Sequence, residues 1–490
     1  MEKIFISAIL LFILLGGRAL VMSVLKLCQN DALDGHNGVV FVLSLFLLFN
    51  HFVYDRALYG QFGILAAYGA LLFLFAYSLR TLKELNPRYL IYAIASATIS
   101  IMFAIHFIFL VAIIFLLLFW GLFAQQKLIR ARKLNKSLWQ ALFLSVLIFL
   151  ILNANWLAFF FLGEGASLIA QDIGRQDLNI FKTAGITQTE AVSNVFFMGG
   201  FWAKDMNRYV DMAALKQNWG RSFFLLLPLI CWGVIKGLRN SKQEPNLFYF
   251  TIGLIIIFAT TFILALGIST PFSSKITLLL FNNFPLYKGM REPQKWVALI
   301  VIIYTIFLSI GVKEFFKLKI IAKDHILFKI ILTLVIIMQA PLLLWGFGGQ
   351  IKPVDYPKDW YRVDKITAGN AISQKCDDKI LFLPWHMYMG FQWVGRVIAN
   401  PAKVFFQCPV ISGTNMEAGP IYDNSGDPTG QKVAAWISAQ GETNLFVSEK
   451  IKYIILAKEV DWQGYAWINS LTNLQLIKDS ETLKLYKVVE

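Results

Sequence analysis

The sequence predicts a mainly α-helical, polytopic membrane bundle of about ten spans, followed by a small C-terminal extracytoplasmic α/β domain. Three observations predict it. The 490 residues are 57% hydrophobic and only 15% charged, against about 25% charged in an ordinary soluble domain, and the mean hydropathy is +0.60. Apolar runs near the ~20 residues that cross a bilayer as a helix recur from Met1 to Gly349. Beyond Gln350 the texture changes: Pro, Asp, Asn and Gly enter, and apolar runs shrink to strand length. Such a composition excludes intrinsic disorder and argues against an ordinary soluble enzyme.

The spans are read at Val39–Val53, Gly63–Ser78, Leu90–Ala104, Phe107–Ala124, Trp139–Leu162, Ser222–Ile235, Leu247–Gly267, Trp296–Val312 and Ile326–Gly348, with the N-terminal run Ile4–Gly17 as a tenth. That run has the look of a signal-peptide core. Gly16-Gly17 leads into Arg18 and more apolar sequence without a small-x-small cleavage site, so it is read as a retained span. Leu90–Ala104 and Phe107–Ala124 are separated by Ile105-His106 alone, which requires a tight turn at His106. There His106 is either a polar cap on the turn or part of a site.

The net charge of +15 sits wholly in the hydrophobic part, because residues 1–349 hold 30 Lys/Arg against 15 Asp/Glu and residues 350–490 hold 15 of each. Within that part the gaps Arg80–Arg88, Gln125–Leu138, Lys236–Pro245 and Lys313–His325 carry 15 Lys/Arg in 46 residues. The alternate gaps Tyr54–Phe62, Gly163–Arg221 and Ile268–Trp296 carry 11 in 97. Cytoplasmic loops retain Lys and Arg, so the first set is expected inside and the second outside, with the N-terminus and the C-terminal domain also outside. Nucleic acid is excluded as a partner, since no basic face is interleaved with stacking aromatics. The lipid bilayer is the first partner.

Residues 350–490 read as one α/β domain. "KILFLPW", "KVFF", "KYIILAK", "LQLIKDS" and "LKLYKVV" have strand length; "PTGQKVAAWISAQ", opened by Asp427-Pro428, and "WQGYAWINS" have helical spacing. Cys376 and Cys408 lie in this domain, where a disulfide is permitted, and Cys28 and Cys231 lie in or beside spans. No Cys/His spacing of a zinc site, Walker loop or dinucleotide fingerprint occurs, so no cofactor is assigned.

Two motifs place charge at the membrane boundary. In "NHFVYDRALYGQ" (Asn50 to Gln61), Asp55 and Arg56 follow Tyr54. They read either as an interfacial anchor or as a carboxylate and a guanidinium facing a polar cleft. In "NNFPLYKGMREPQKW" (Asn282 to Trp296), Lys288, Arg291 and Lys295 crowd around Glu292. Cations on an outer loop run against the topology bias and suit a phosphate; an anionic-lipid contact or an Arg291–Glu292 pair is the plainer alternative. Asp172, Asp177, Asp205 and Asp211 in the long loop have no diagnostic spacing and receive no role. His386 in "LPWHMY" is read as core or site.

These two motifs, together with "N-x-N-W" at Asn153 to Trp156 and "LPWHMY" and "ANPA" in the tail, resemble large bacterial membrane proteins of the GT-C glycosyltransferase type, in the arabinofuranosyltransferase-like and lipoteichoic-acid-glycosylation-like branches. The resemblance covers most of the chain. It implies a multi-pass protein of the bacterial cytoplasmic (inner) membrane that moves a sugar from a polyprenyl-phosphate donor to a cell-envelope glycan or lipid on the outer face. A carboxylate would serve as base, with cations at the departing phosphate and room for a divalent cation. Against that pattern the usual first-loop carboxylate is not found, which is read as the loss of an initial span and its outer loop, either because the sequence is N-terminally truncated or because this member is not catalytic in that way. The roles that carry over are Asp55 as the carboxylate, and Arg56, Lys288, Arg291, Glu292, Lys295 and His106 at the substrate. The rival expectation is a non-catalytic scaffold or transporter in envelope assembly. Transport is disfavoured by the lack of internal repeats and of mid-span charges.

Overall fold

A computed structural model of the chain describes residues 2–27, 37–128, 136–163, 174–206, 222–239, 245–316, 325–344, 354–369, 378–418, 421–423, 427–441 and 445–489. The chain divides into two compact units, Met1–Asp205 with Val210–Ile351, and Met206–Tyr209 with Lys352–Glu490.

The first unit is helical. In chain order it contains α1 (Glu2–Leu27), α2 (Asn37–Phe46), α3 (His51–Leu58), α4 (Phe62–Glu84), α5 (Pro87–Phe103), α6 (Ile108–Leu128), α7 (Lys136–Leu152), α8 (Ala154–Leu162), α9 (Arg175–Ile180), α10 (Gln188–Phe196), α11 (Phe223–Arg239), α12 (Pro245–Leu266), α13 (Pro271–Asn283), α14 (Val297–Phe316) and α15 (His325–Ile337). Among the described residues five stretches are long and apolar enough to cross a membrane: Ile4–Leu27, Phe62–Glu84, Ile105–Leu122, Leu247–Leu266 and Pro293–Phe316. Counting the bent pair α2 and α3 makes six, and Pro87–Phe103, Phe143–Leu152 and Ile326–Ile337 are shorter apolar helices. Full-length helices therefore do not reach the expected ten.

Two expected spans are broken, each at an asparagine. Val39–Val53 bends by 56° between α2 and α3. Asn50 causes the break: its Oδ1 accepts from Val53 N at 3.0 Å to cap α3, while its Nδ2 donates to the freed carbonyls of Phe46 and Leu47. Asn153 separates α7 from α8, donating back to Phe149 O and accepting from Trp156 Nε1. Hydropathy averages over such a residue; hydrogen bonding does not.

The bundle is closed by helices that meet at glycine. α1 runs without a break through Gly16-Gly17, and glycine at position 16 lets α1 pack against α4, where a Cβ would lie 2.9 Å from the carbonyl oxygen of Gly69. A Cβ at Gly311 on α14 would overlap the carbonyl oxygen of Leu229 on α11. Small residues let backbones approach in this way. α14 is buried at every position from Val297 to Val312, and a helix apolar all round belongs in the interior.

The second unit contains α16 (Lys358–Ala368), β1 (Lys379–Leu383), β2 (Tyr388–Phe391), β3 (Arg396–Ala399), α17 (Ala402–Phe405), β4 (Val410–Ile411), β5 (Met416–Ala418), β6 (Ile421–Asp423), α18 (Pro428–Ser438), α19 (Leu445–Glu449), β7 (Ile451–Ala457), β8 (Leu474–Asp479) and β9 (Leu483–Val488). Its main sheet has the order β4-β1-β7-β9-β8, parallel across β4, β1 and β7 and antiparallel from β7 to β9 to β8. Both faces are covered. Ile380 and Phe382 of β1 join Trp360 of α16 on one side, and Leu381 and Leu383 join Trp436 of α18 on the other. A strand buried on both faces reads as a continuous apolar run, as "KILFL" does. Asp427 caps α18 by accepting from Thr429 N at 3.1 Å. Two short segments differ from their expected form: "KVFF" begins with the turn of helix α17 after Pro401 instead of a strand, and "WQGYAWINS" is a 3-10 turn. Cys408 is disulfide-bonded, while Cys376 and Cys28 lie outside the described residues.

Candidate functional site: a buried cation cluster

The site is assembled by three short segments that hydropathy alone reads as connections. The first is α3, whose cap at Asn50 sets the rotation of the helix. The second is the 3-10 turn Ile105–Phe107 between α5 and α6. The third is the pair of 3-10 turns Pro285–Met290 and Pro293–Trp296 that feed α14. All three belong to the first unit.

Arg56 is at the centre. Its side chain is 1% exposed, and Nη1 donates to Glu292 Oε2 at 2.8 Å and to Gln61 Oε1. The guanidinium lies 4.4 Å from the ring centroid of Phe201 and 5.6 Å from that of Phe52, a cation–π arrangement in a desolvated setting. Lys295, also buried, has Nζ 3.9 Å from the same Glu292 oxygen and 3.4 Å from Gly289 O. Burial pushes the Glu292 carboxyl up, but Lys295 and Arg56 outweigh it and bring the group down to about 2. Glu292 is therefore an anion at neutral pH and a poor proton acceptor. The group of three holds two cations and one carboxylate.

Two buried side-chain nitrogens at this cluster lack a hydrogen-bond partner. Arg56 Nη2 is buried without a hydrogen bond, and so is His106 Nε2. His106 sits in the turn between α5 and α6, within the electrostatic reach of Lys295, Glu292, Arg56 and Arg291. Buried polar groups are normally satisfied, and an orphaned guanidinium N–H beside surplus positive charge defines a place for an anion.

The other predicted residues surround this centre without joining it directly. Arg291 is 26% exposed and pairs with Asp177 Oδ1 at 3.1 Å, not with its neighbour Glu292, while its guanidinium rests 4.7 Å from the Phe181 ring centroid. Lys288 leans over the Phe281 ring at 5.5 Å. Asp55 is buried, but consecutive helical residues project about 100° apart, so it occupies a different face of α3 from Arg56. The anchor reading of Tyr54 and Arg56 at headgroup depth does not hold, since both are fully buried.

Sequence reading missed Asp177. It was one of four carboxylates without a pattern, yet it holds Arg291 with one oxygen and caps α9 with the other, accepting from Gly174 N at 2.9 Å. Gln294 was in a quoted motif but unassigned. It donates to Phe181 O at 3.0 Å and Thr183 Oγ1 at 3.3 Å, tying the Arg175–Trp202 stretch to the entrance of α14. Asp172, Asp211 and the Asp205 side chain lie outside the described residues. No group of three His, Cys, Asp or Glu side chains among the described residues is arranged to hold a metal. In the second unit, His386 Nε2 is 3.1 Å from Asp461 Oδ1.

The fold defines a polytopic helical membrane protein with a buried Arg56–Glu292–Lys295 cluster in its helical unit and an α/β unit beside it in the sequence. No protein-family model matches the chain, and no curated protein sequence matches it. Among solved structures it is similar to the arabinofuranosyltransferase AftD from Mycobacteria, determined by single-particle cryo-EM. That match has 12% identity and a TM-score of 0.49, covering 98% of this chain and 33% of that one. A mutant of the same enzyme matches with 11% identity and a TM-score of 0.50, covering 98% and 34%. The chain thus spans about a third of the length of these structures. The likeness is one of fold.

Proposed function

We propose that the protein is a membrane glycosyltransferase that takes a sugar from a polyprenyl-phosphate-linked donor and passes it to a cell-envelope glycan or lipid on the outer face of a bacterial inner membrane. The observation that carries this reading is the buried Arg56–Glu292–Lys295 group with its unpartnered Arg56 Nη2. A phosphate oxygen there would accept from Arg56 Nη2 and His106 Nε2. As the acceptor oxygen bonds to the sugar's anomeric carbon, the carbon–oxygen bond to phosphate breaks, and the phosphate leaves with the bonding electrons. Preorganised cations stabilise charge that develops in this way. The acceptor hydroxyl's proton passes to a carboxylate, a role given to Asp55, which is buried on α3 next to Arg56 in the sequence. Arg291 and Lys288 lie further out and contact the donor's remaining oxygens. In this reading the shorter apolar helices complete about ten crossings, and the α/β unit lies outside the cytoplasm.

The test is transfer of a radiolabelled sugar from polyprenyl phosphate by the full chain in proteoliposomes. Arg56→Gln and Arg291→Ala should each lower the rate by about 10²-fold or more, the scale for losing one transition-state donor, while leaving insertion intact. Undiminished transfer by both variants would sink the assignment. Failure of the wild type to bind any polyprenyl phosphate would favour the scaffold alternative.

A further inference from the structure

α13 is amphipathic in the reverse sense of a helix on a soluble surface. Its inward face carries Ser273, Thr277 and Phe281, all buried, at the four-residue spacing of one helical stripe. Its outward face carries Phe272 at 64% and Leu279 at 62% exposure, with Lys275 between them, and Phe284 follows at 55%. Two small hydroxyl side chains are inside with Phe281, while Phe272 and Leu279 are outside. Thr277 Oγ1 is buried without a hydrogen bond, so the sequence places a polar group inward at a cost and an aromatic outward. Water would favour the opposite arrangement.

We infer that α13 lies in the membrane interface and that its outward face is a contact surface for bilayer lipid. Three features of the fold select lipid over a protein partner. The helix is joined to the apolar α12 through Gly267–Thr270 and to α14 through the 3-10 turns, so both ends stay at the boundary where those two helices terminate. The exposed face of the neighbouring membrane-length helix α12, with Ile256 at 58% exposure, is apolar in the same way. The outward face also combines Phe272 and Leu279 with Lys275 and, at its C-terminal end, the exposed Asn282 and Asn283, with no acidic residue; interfacial helices bury their apolar groups at headgroup depth while cationic and amide groups meet the lipid headgroups. Thr270 caps the helix by accepting from Ser273 N, which holds it as a rigid element 13 residues long, about 20 Å at the usual rise.

Photo-crosslinking of the full chain in phospholipid nanodiscs tests the assignment, with benzoylphenylalanine replacing Phe272 or Leu279 in separate variants. Ile256 serves as the lipid-facing reference and Gln440 as the water-facing one. Phospholipid adducts at positions 272 and 279, at yields within about twofold of position 256, are expected. Absence of lipid adducts at both, or crosslinks to a second polypeptide instead, would overturn the inference. Hydroxyl-radical footprinting of the unmodified protein gives an independent reading. Phe272 and Phe284 should resist oxidation relative to detergent-free fragments, and oxidation of Phe272 to the same fraction as in such fragments would equally overturn it.

Discussion

Arg56 and Glu292 are 236 positions apart in the chain and meet at 2.8 Å in the interior of the helical unit. One comes from a helix that exists because Asn50 breaks a span. The other comes from a turn that exists because Pro285 and Pro293 delay the start of α14. Their contact brings the two charged motifs into one site.

Removing one partner of this buried pair exposes the other. Arg56→Ala leaves Glu292 with only the longer Lys295 contact, and a loss of about 3 kcal/mol in stability is expected. The double variant with Glu292→Ala should recover part of that loss, giving a coupling on the order of 1–3 kcal/mol in a double-mutant cycle. Thermal unfolding of the purified protein measures it, and strictly additive effects would rule out the pair as a structural unit.

Asp177 acts through Arg291. Asp177→Asn removes the charge partner while keeping most of the shape, and transfer should fall about tenfold. The same substitution made in Arg291→Ala should cost nothing further, because the group it positions is gone. Initial rates of the four proteins decide this. A full tenfold effect of Asp177→Asn in the absence of Arg291 would assign Asp177 some other role.

Gly311 is set by contact between backbones. Gly311→Ala forces α14 away from Leu229 O on α11 and is expected to destabilise the unit by about 1–3 kcal/mol, the range for overpacking. Gly174, where an added Cβ meets nothing within 4 Å, provides the control, and Gly174→Ala should be close to neutral. Equal melting temperatures for the two variants would contradict the crossing.

The sheet unit contains a pH-dependent element. Glu459 is buried at 4% exposure. Burial raises its carboxyl above the usual range, offset in part by the N–H of Gln392. A carboxyl raised in the folded state favours folding most below its unfolded value of about 4.3, and that contribution is lost as pH rises through the folded value. Glu459→Gln should therefore stabilise the unit at neutral pH by less than about 1 kcal/mol, and the advantage should vanish near pH 4. Unfolding transitions across that range would show it; a variant less stable than wild type at neutral pH would refute it.

Much of the architecture is legible from composition and local spacing. The apolar runs, the change of texture after Gly349 and the Asp427-Pro428 helix start each depend on residues within a few positions of one another. The candidate site is legible only in part. Its charged members stand out because charge is rare in such a chain, but which charge meets which is decided by helix rotation and by contacts across more than a hundred residues. Arg291 stands beside Glu292 in the sequence, in the link between the two 3-10 turns, yet pairs with Asp177.

By itself, then, the sequence determined the solvent of each half, the sites of most helices and the identities of the scarce charges, since these follow from transfer free energies summed along the chain. Tertiary structure alone decided that two spans break at Asn50 and Asn153, that Asp177 pairs with Arg291, and that Arg56 and Lys295 share one carboxylate and leave Arg56 Nη2 without a hydrogen bond. Those outcomes depend on hydrogen-bond geometry and desolvation at particular points in space, and no local average carries that information.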